Sequence, residues 1–404
     1  MDIHNIRAEL RQKTIYEIPM RVTFYARVST DQDEQLNSLG NQISYYEDLI
    51  RRNRNWTFVP GYIDEGLSGI STKKRENFNR MVEDAAEDKT ALLKTKILEM
   101  NREAARFYFS ELTKPSGKAA LDYLLGRGLE PKTIKHFGLG YAPNDWTRLT
   151  DLLASKGYRY EDMVAAQLSR KSEKSGRYYD VFRDRVMFPI IDLRGNVIGF
   201  GGRKMSGDGP KYYNSPDTPV FKKTKNLFAL NYAKGNWAEQ MILCEGYMDV
   251  IAMHQAGFGQ AVASLGTAFT EGQASLLKRY TEEVILAYDS DGAGVTAALR
   301  AIGILKEAGL TGKILNLEPY KDPDEFIKNR GTEAFEERIK SAENSFFFEI
   351  RMLQRDYDLN DPESKTKFYR EIAKKLCTFS EEVERDNYIQ AVADKYAIGV
   401  QNLR

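Results

Sequence analysis

Apolar residues recur along the chain in three patterns, alternating, helical and short unbroken runs, and each predicts a different element. Residues 21–30, Arg-Val-Thr-Phe-Tyr-Ala-Arg-Val-Ser-Thr, open with the alternation of a strand. Residues 36–51 carry a helical stripe, and 56–63 form a second strand that ends in the turn-rich run Asp64-Glu65-Gly66-Leu67-Ser68-Gly69. With a helix over 78–86 this makes one and a half strand–helix units, little for an independent sheet. Residues 90–112 read as one long helix with Leu93, Ile97, Met100, Ala104 and Phe107 on a face. Short helices follow over 119–125, 131–137 and 146–156. Residues 186–192 and 197–200 are strands joined at Arg194-Gly195-Asn196, a hairpin.

Past residue 233 the rhythm changes to unbroken apolar runs. Strands are predicted over 241–245, 260–264, 284–289 and 313–317, with helices over 250–255, 273–280 and 292–308 between them. Such alternation builds a mostly parallel, doubly wound sheet. Residues 324–404 are helical and charged. The fold class is therefore multi-domain α/β (α+β), divided at 1–88, 89–232, 233–325 and 326–404: a short N-terminal segment, a mixed basic subdomain, a parallel sheet and a helical subdomain.

Composition narrows the function classes. The charged fraction is 29% and the hydrophobic fraction 42%, ordinary for a globular protein. No apolar run is long enough to span a bilayer, and residues 1–20 hold no signal-peptide core, so no membrane association and a cytoplasmic location are expected. Two cysteines and three histidines, all scattered, rule out a disulfide framework and a zinc ribbon. The net charge of +1 hides a local imbalance: residues 170–225 hold thirteen Lys/Arg against six Asp/Glu. A basic stretch upstream of clustered acids suggests a polyanion groove beside a divalent-metal site.

Those acids fall just past predicted strand ends. Glu245 ends the first strand, Asp289 and Asp291 the third, and Asp322 and Asp324 follow the fourth. In an open parallel sheet that edge is where ligands bind. Hard oxygen donors without His or Cys favour magnesium or manganese. The plain alternative is that each acid caps the following helix, which suits Asp better than Glu245.

The wording of these segments resembles the Toprim domain shared by bacterial primases, some topoisomerases and certain nucleases. It is carried by Glu245-Gly-Tyr-Met-Asp-Val250, Ser264-Leu-Gly-Thr-Ala268, Tyr288-Asp-Ser-Asp-Gly-Ala-Gly294 and Lys321-Asp-Pro-Asp324. The first and last point to the primase branch. The resemblance implies a Rossmann-like sheet in which Glu245, Asp289 and Asp291 hold a catalytic metal. Asp249, Asp322 and Asp324 would assist or take a second ion. The segment before it resembles the remainder of the bacterial primase RNA-polymerase core, through Tyr123-Leu-Leu-Gly-Arg-Gly-Leu129, Phe137-Gly-Leu-Gly-Tyr-Ala-Pro143 and Arg183-Asp-Arg-Val-Met-Phe-Pro-Ile190. By that resemblance Arg183, Arg185, Arg203, Lys211, Tyr212, Asn214 and Lys223 form the strip that contacts template or nucleotide, with Gly201 and Gly202 allowing a close approach. The implied reaction is primer synthesis from ribonucleoside triphosphates on single-stranded DNA. The family's zinc ribbon is expected to be missing. So is the domain that docks on the replicative helicase, because the polymerase core is expected to end at Arg404.

The N-terminal segment resembles the start of a serine recombinase catalytic domain: Tyr25-Ala-Arg-Val-Ser-Thr30, Asp64-Glu-Gly-Leu-Ser-Gly69 and Arg75. There Ser29 would attack a DNA phosphate held by Arg27 and Arg75. The match is expected to stop near residue 86, leaving an inert remnant. Three rival readings stand beside primer synthesis: a Toprim nuclease or topoisomerase, strand transfer through Ser29, and a non-catalytic nucleic-acid-binding protein.

Overall fold

The computed structural model describes residues 14–27, 33–64, 76–235 and 240–403. Two compact units divide the chain, Met1–Thr95 and Lys96–Arg404. In the first, β1 (Met20–Val22) and β2 (Tyr25–Arg27) precede α1 (Asp33–Arg52), β3 (Trp56–Phe58) and β4 (Tyr62–Asp64). β1 pairs in parallel with β3, and β2 with β4. Met20 faces Trp56 but Tyr25 faces Tyr62, so the returning arm holds one extra residue. That bulge falls at Val59-Pro60-Gly61 and breaks what the alternation predicts as two continuous strands. Asp64 accepts the backbone N–H groups of Asn77 and Phe78 at 3.0 and 3.2 Å, fixing the first turn of α2 (Glu76–Leu112). No glycine or proline interrupts residues 76–112, so the two helices expected over 78–86 and 90–112 are one.

In the second unit, α3 (Lys118–Gly126), α4 (Pro131–His136), α5 (Arg148–Ser155) and α6 (Tyr160–Ala165) pack around an antiparallel sheet. Its strands are β5 (Gly140–Ala142), β8 (Arg185–Ile191), β9 (Val197–Lys204) and β10 (Tyr212–Asn214), in the order β10-β9-β8-β5. A separate ribbon pairs β6 (Ser169–Lys171) with β7 (Tyr178–Asp180). The β8–β9 hairpin is the predicted one, extended to Lys204.

After α7 (Leu230–Ala233), the strands β11 (Gln240–Cys244), β12 (Ala261–Ala263), β13 (Glu283–Ala287) and β14 (Thr311–Ile314) alternate with three helices. These are α8 (Tyr247–Gln255), α9 (Glu271–Leu277) and α10 (Gly292–Glu307); α11 (Pro323–Lys340) and a fifth strand, β15 (Glu343–Asn344), follow. The sheet order is β12-β11-β13-β14-β15, parallel except at β15. Ile242, Cys244, Ile285 and Ala287 bury into one core, while Met241, Leu243, Val284 and Leu286 bury into another. A period of two with both faces apolar explains the unbroken runs in the sequence. The first core is shared: it also takes Phe188 and Ile190 from β8 and Phe137 from the helical layer. Helices α12 (Ser345–Gln354), α13 (Pro362–Leu376) and α14 (Glu382–Tyr396) close the chain around their own cluster, with Ile350, Phe368 and Ile372 fully buried. Among the described residues no helix is long and apolar enough to cross a membrane.

Candidate functional site

β11 and β13 run parallel with Cys244 opposite Ala287, so their carboxyl ends reach one edge together. Glu245 and Asp289 lie immediately beyond. A Glu245 carboxylate oxygen accepts the Asp289 backbone N–H at 3.1 Å. Gly294 makes the closeness possible: a Cβ there would sit 2.1 Å from the Asp289 carbonyl oxygen and 3.0 Å from Glu245 Oε1.

Asp291 caps α10 by accepting the Gly294 N–H at 2.9 Å, and Asp322 caps α11 by accepting the Glu325 N–H at 2.8 Å. The capping alternative thus holds for these two, through one oxygen each. Asp249, in the first turn of α8, turns back toward the edge. Burial pushes its carboxyl up to about 7, aided by Asp322, Asp289 and Asp324. Burial also raises Glu245, with Asp289 and Asp291 adding to it, and raises Asp289, where Lys321 at 3.7 Å opposes. Carboxylates so crowded suit a hard cation, which would relieve their repulsion. The chemistry of the donor set therefore fits a divalent ion, although among the described residues no three acidic, His or Cys side chains converge on one point.

Asp324, expected to assist or to take a second ion, is paired with two cations through one oxygen. It is 6% exposed, and its Oδ2 receives Arg127 at 3.1 Å and Lys328 at 2.7 Å. Arg127 lies within the run 123–129, and Lys328 one helical turn after Asp324. Arg127 follows α3 immediately, so this ion pair ties the helical layer to the acidic edge.

The basic strip is partly surface and partly scaffold. Lys211 is exposed and Lys223 half-buried. Arg203 is half-buried, its guanidinium 4.1 Å from the centre of the Tyr123 ring. Tyr212 pairs across the strands with Arg203, and burial pushes its phenol up to about 12. Arg185, expected at a phosphate, is 8% exposed and donates to the Gly202 and Pro210 carbonyls at 2.9 and 3.2 Å. Burial lowers its pKa, and its place is structural. Asn214, expected at nucleotide, is also buried. It donates to the Leu265 carbonyl at 2.8 Å and accepts the Tyr247 hydroxyl at 2.9 Å, joining the antiparallel sheet to the parallel one. The glycines expected to admit a phosphate serve packing: a Cβ at Gly201 would meet the Tyr247 ring at 2.7 Å, and one at Gly202 the Phe182 ring at 2.9 Å.

Arg183 lies over Trp146 at 4.2 Å and Tyr179 at 5.3 Å, and donates to the Asp180 carbonyl. Trp146 is 65% exposed, and Arg170 donates to the Tyr213 hydroxyl at 2.6 Å. This aromatic–basic surface is a form suited to unpaired bases. Trp146 and Tyr179 were missed by sequence reasoning. The excess of Lys/Arg over 170–225 pointed to the region, but not to the tryptophan outside it.

Ser29 and Arg75 lie outside the described residues. Arg27 is placed only as a backbone position of β2, opposite Asp64.

Four family models match the chain: "DNA primase catalytic core, N-terminal domain" over 107–234, "Toprim-like" over 242–327, "Resolvase, N terminal domain" over 22–108 and "DnaB-helicase binding domain of primase" over 347–401. The last corrects the expectation that nothing resembling a helicase-docking domain precedes Arg404. The third runs past residue 86, where the recombinase likeness was expected to stop. A DNA primase of Clostridium acetobutylicum is 39% identical over 390 residues, covering 92% of this chain and 61% of that protein. A solved DnaG catalytic core is 34% identical with a TM-score of 0.65, covering 76% of this chain and all of that one. A DnaG primase catalytic domain bound to single-stranded DNA is 35% identical with a TM-score of 0.66, covering 75% of this chain and 99% of that one. The chain spans 39–61% of the length of the curated primases it matches.

Proposed function

The chain belongs to the family of bacterial DNA primases built on the DnaG catalytic core, and on that premise we propose that it synthesises RNA primers, joining ribonucleotides on a single-stranded DNA template. The observation that carries this reading is the edge beyond paired parallel strands that bears Glu245, Asp289 and Asp291, in one compact unit with the cations Arg127, Arg203 and Lys321. Glu245, Asp289 and Asp291 would hold a magnesium or manganese ion, with Asp249 and Asp322 beside them. Bound there, the ion would lower the pKa of the primer 3′-hydroxyl and neutralise the triphosphate.

The chain's own groups do the rest. Arg203, Lys211 and Lys223 neutralise phosphates and set them in line with the acidic edge. Trp146, backed by Arg183 and Tyr179, offers a face on which a template base stacks. Asp324 holds Arg127 at the edge, where the guanidinium offsets the negative field. The matches over 107–234 and 242–327 support polymerisation over cleavage, and no activity is assigned to the recombinase-like segment. Helicase docking is a second proposed role, carried by the match over 347–401 and by the separate apolar cluster around which those helices pack.

The test is incorporation of labelled ribonucleotides on single-stranded DNA with magnesium or manganese, with and without an annealed RNA primer. Product that is lost on Asp289→Asn supports the reading. A folded protein that makes no product in either lane overturns it.

A further inference from the structure

Helix α3 and its C-cap send two side chains toward the site from one turn, Tyr123 and Arg127. Arg127 is held by Asp324. Tyr123 has a different partner: its ring faces the Arg203 guanidinium, with Cζ 4.1 Å from the ring centre. Arg203 stands on β9 near the mouth of the hairpin, opposite Tyr212. Among the described residues it makes no ion pair, and its hydrogen bonding is a single 3.5 Å contact to the Lys204 carbonyl. At that length the bond fixes little. A four-bond side chain with so few anchors samples many rotamers unless a surface holds its planar head.

The Tyr123 ring is that surface. Its hydroxyl is buried and has no hydrogen-bond partner, so the residue acts through its π face and not through its O–H. Tyr123 is partly buried and packs against the apolar core of the second unit. The ring is thus anchored from below while Arg203 lies above it.

We propose that Tyr123 is a positioning residue for Arg203, presetting the guanidinium that receives a substrate or template phosphate. This rests on the reading of Arg203 as a phosphate contact. A cation–π contact of this strength corresponds to roughly 2- to 30-fold in a binding constant.

The experiment is a double-mutant cycle on the full chain. The KM for ribonucleoside triphosphate and the Kd for single-stranded DNA are measured for Tyr123→Phe, Tyr123→Leu, Tyr123→Met, Arg203→Ala and the Leu/Ala double variant. Thermal unfolding is measured alongside. Whichever constant Arg203→Ala raises, Tyr123→Leu and Tyr123→Met are expected to raise about three- to tenfold with kcat within twofold. Tyr123→Phe should stay within twofold, and Tyr123→Leu should add nothing in the Arg203→Ala background. An effect of Leu that multiplies with Arg203→Ala, or a Phe variant as impaired as Leu, overturns the inference. So does a wild-type constant in both the Leu and the Met variant when Arg203→Ala moves it. If Arg203→Ala moves neither constant, the phosphate reading of Arg203 fails first and the inference falls with it.

Discussion

Asp324→Asn tests whether the carboxylate acts as a structural anchor or as an ion ligand. If Asp324 is a structural anchor, the amide removes a charge that receives Arg127 at 3.1 Å and Lys328 at 2.7 Å. The two cationic side chains are 38% and 46% exposed, so water screens each pair to about 0.5–1 kcal/mol. The buried end adds to this, because an amide meets both cations as a neutral dipole and part of it turns a donor toward a donor. The total is about 2 kcal/mol, or roughly 3 °C in the melting temperature of a unit of this size. The divalent-ion concentration that gives half-maximal incorporation should stay within twofold of wild type. Calorimetry and a magnesium titration of primer extension check both numbers. A variant with an unchanged melting temperature and a tenfold higher ion requirement would refute the argument and return Asp324 to the ligand set.

Asp289→Asn should behave oppositely: incorporation lost or the ion requirement raised more than tenfold, template affinity kept, and melting temperature without divalent ion equal or higher. The gain follows because burial and the neighbours Asp322 and Asp291 already push the Asp289 carboxyl up, so neutralising it removes repulsion. Arg203→Ala should reduce the slope of log Kd against log salt for single-stranded DNA by about 0.7, which fluorescence anisotropy at four salt concentrations measures; an unchanged slope would remove it from the strip. Trp146→Ala should weaken binding of a short oligothymidine by about 1–3 kcal/mol, one lost stacking interaction. In wild type, binding should quench the exposed tryptophan, and equal affinities in the two proteins would place the strand elsewhere.

The parallel sheet was legible because its strands are buried on both faces, which writes unbroken apolar runs into the sequence. The acids were legible because the carboxyl edge of such a sheet is set by strand direction alone. What escaped was anything decided by a single extra residue or by a neighbour far along the chain. The bulge at Pro60 leaves no mark on an alternating pattern, and β15 is two residues long. Arg185 and Asn214 sit among basic and polar neighbours in sequence, and only the fold shows that one is committed to carbonyls 17 and 25 positions away and the other to a carbonyl 51 positions away. Arg127 and Asp324 are separated by 197 positions, and no local pattern announces their meeting. Nothing in the sequence around Tyr123 marks the cation over its ring, because a stacked cation has no sequence period.

The antiparallel and parallel sheets share one apolar core and are pinned together by Asn214, which bonds to Tyr247 and Leu265. Two walls built on a common floor cannot part without opening the core beneath them. On the proposed reading, a nucleotide at this edge would meet two walls that share one core. Selection of a nucleotide there would rest on how it fits a preset gap.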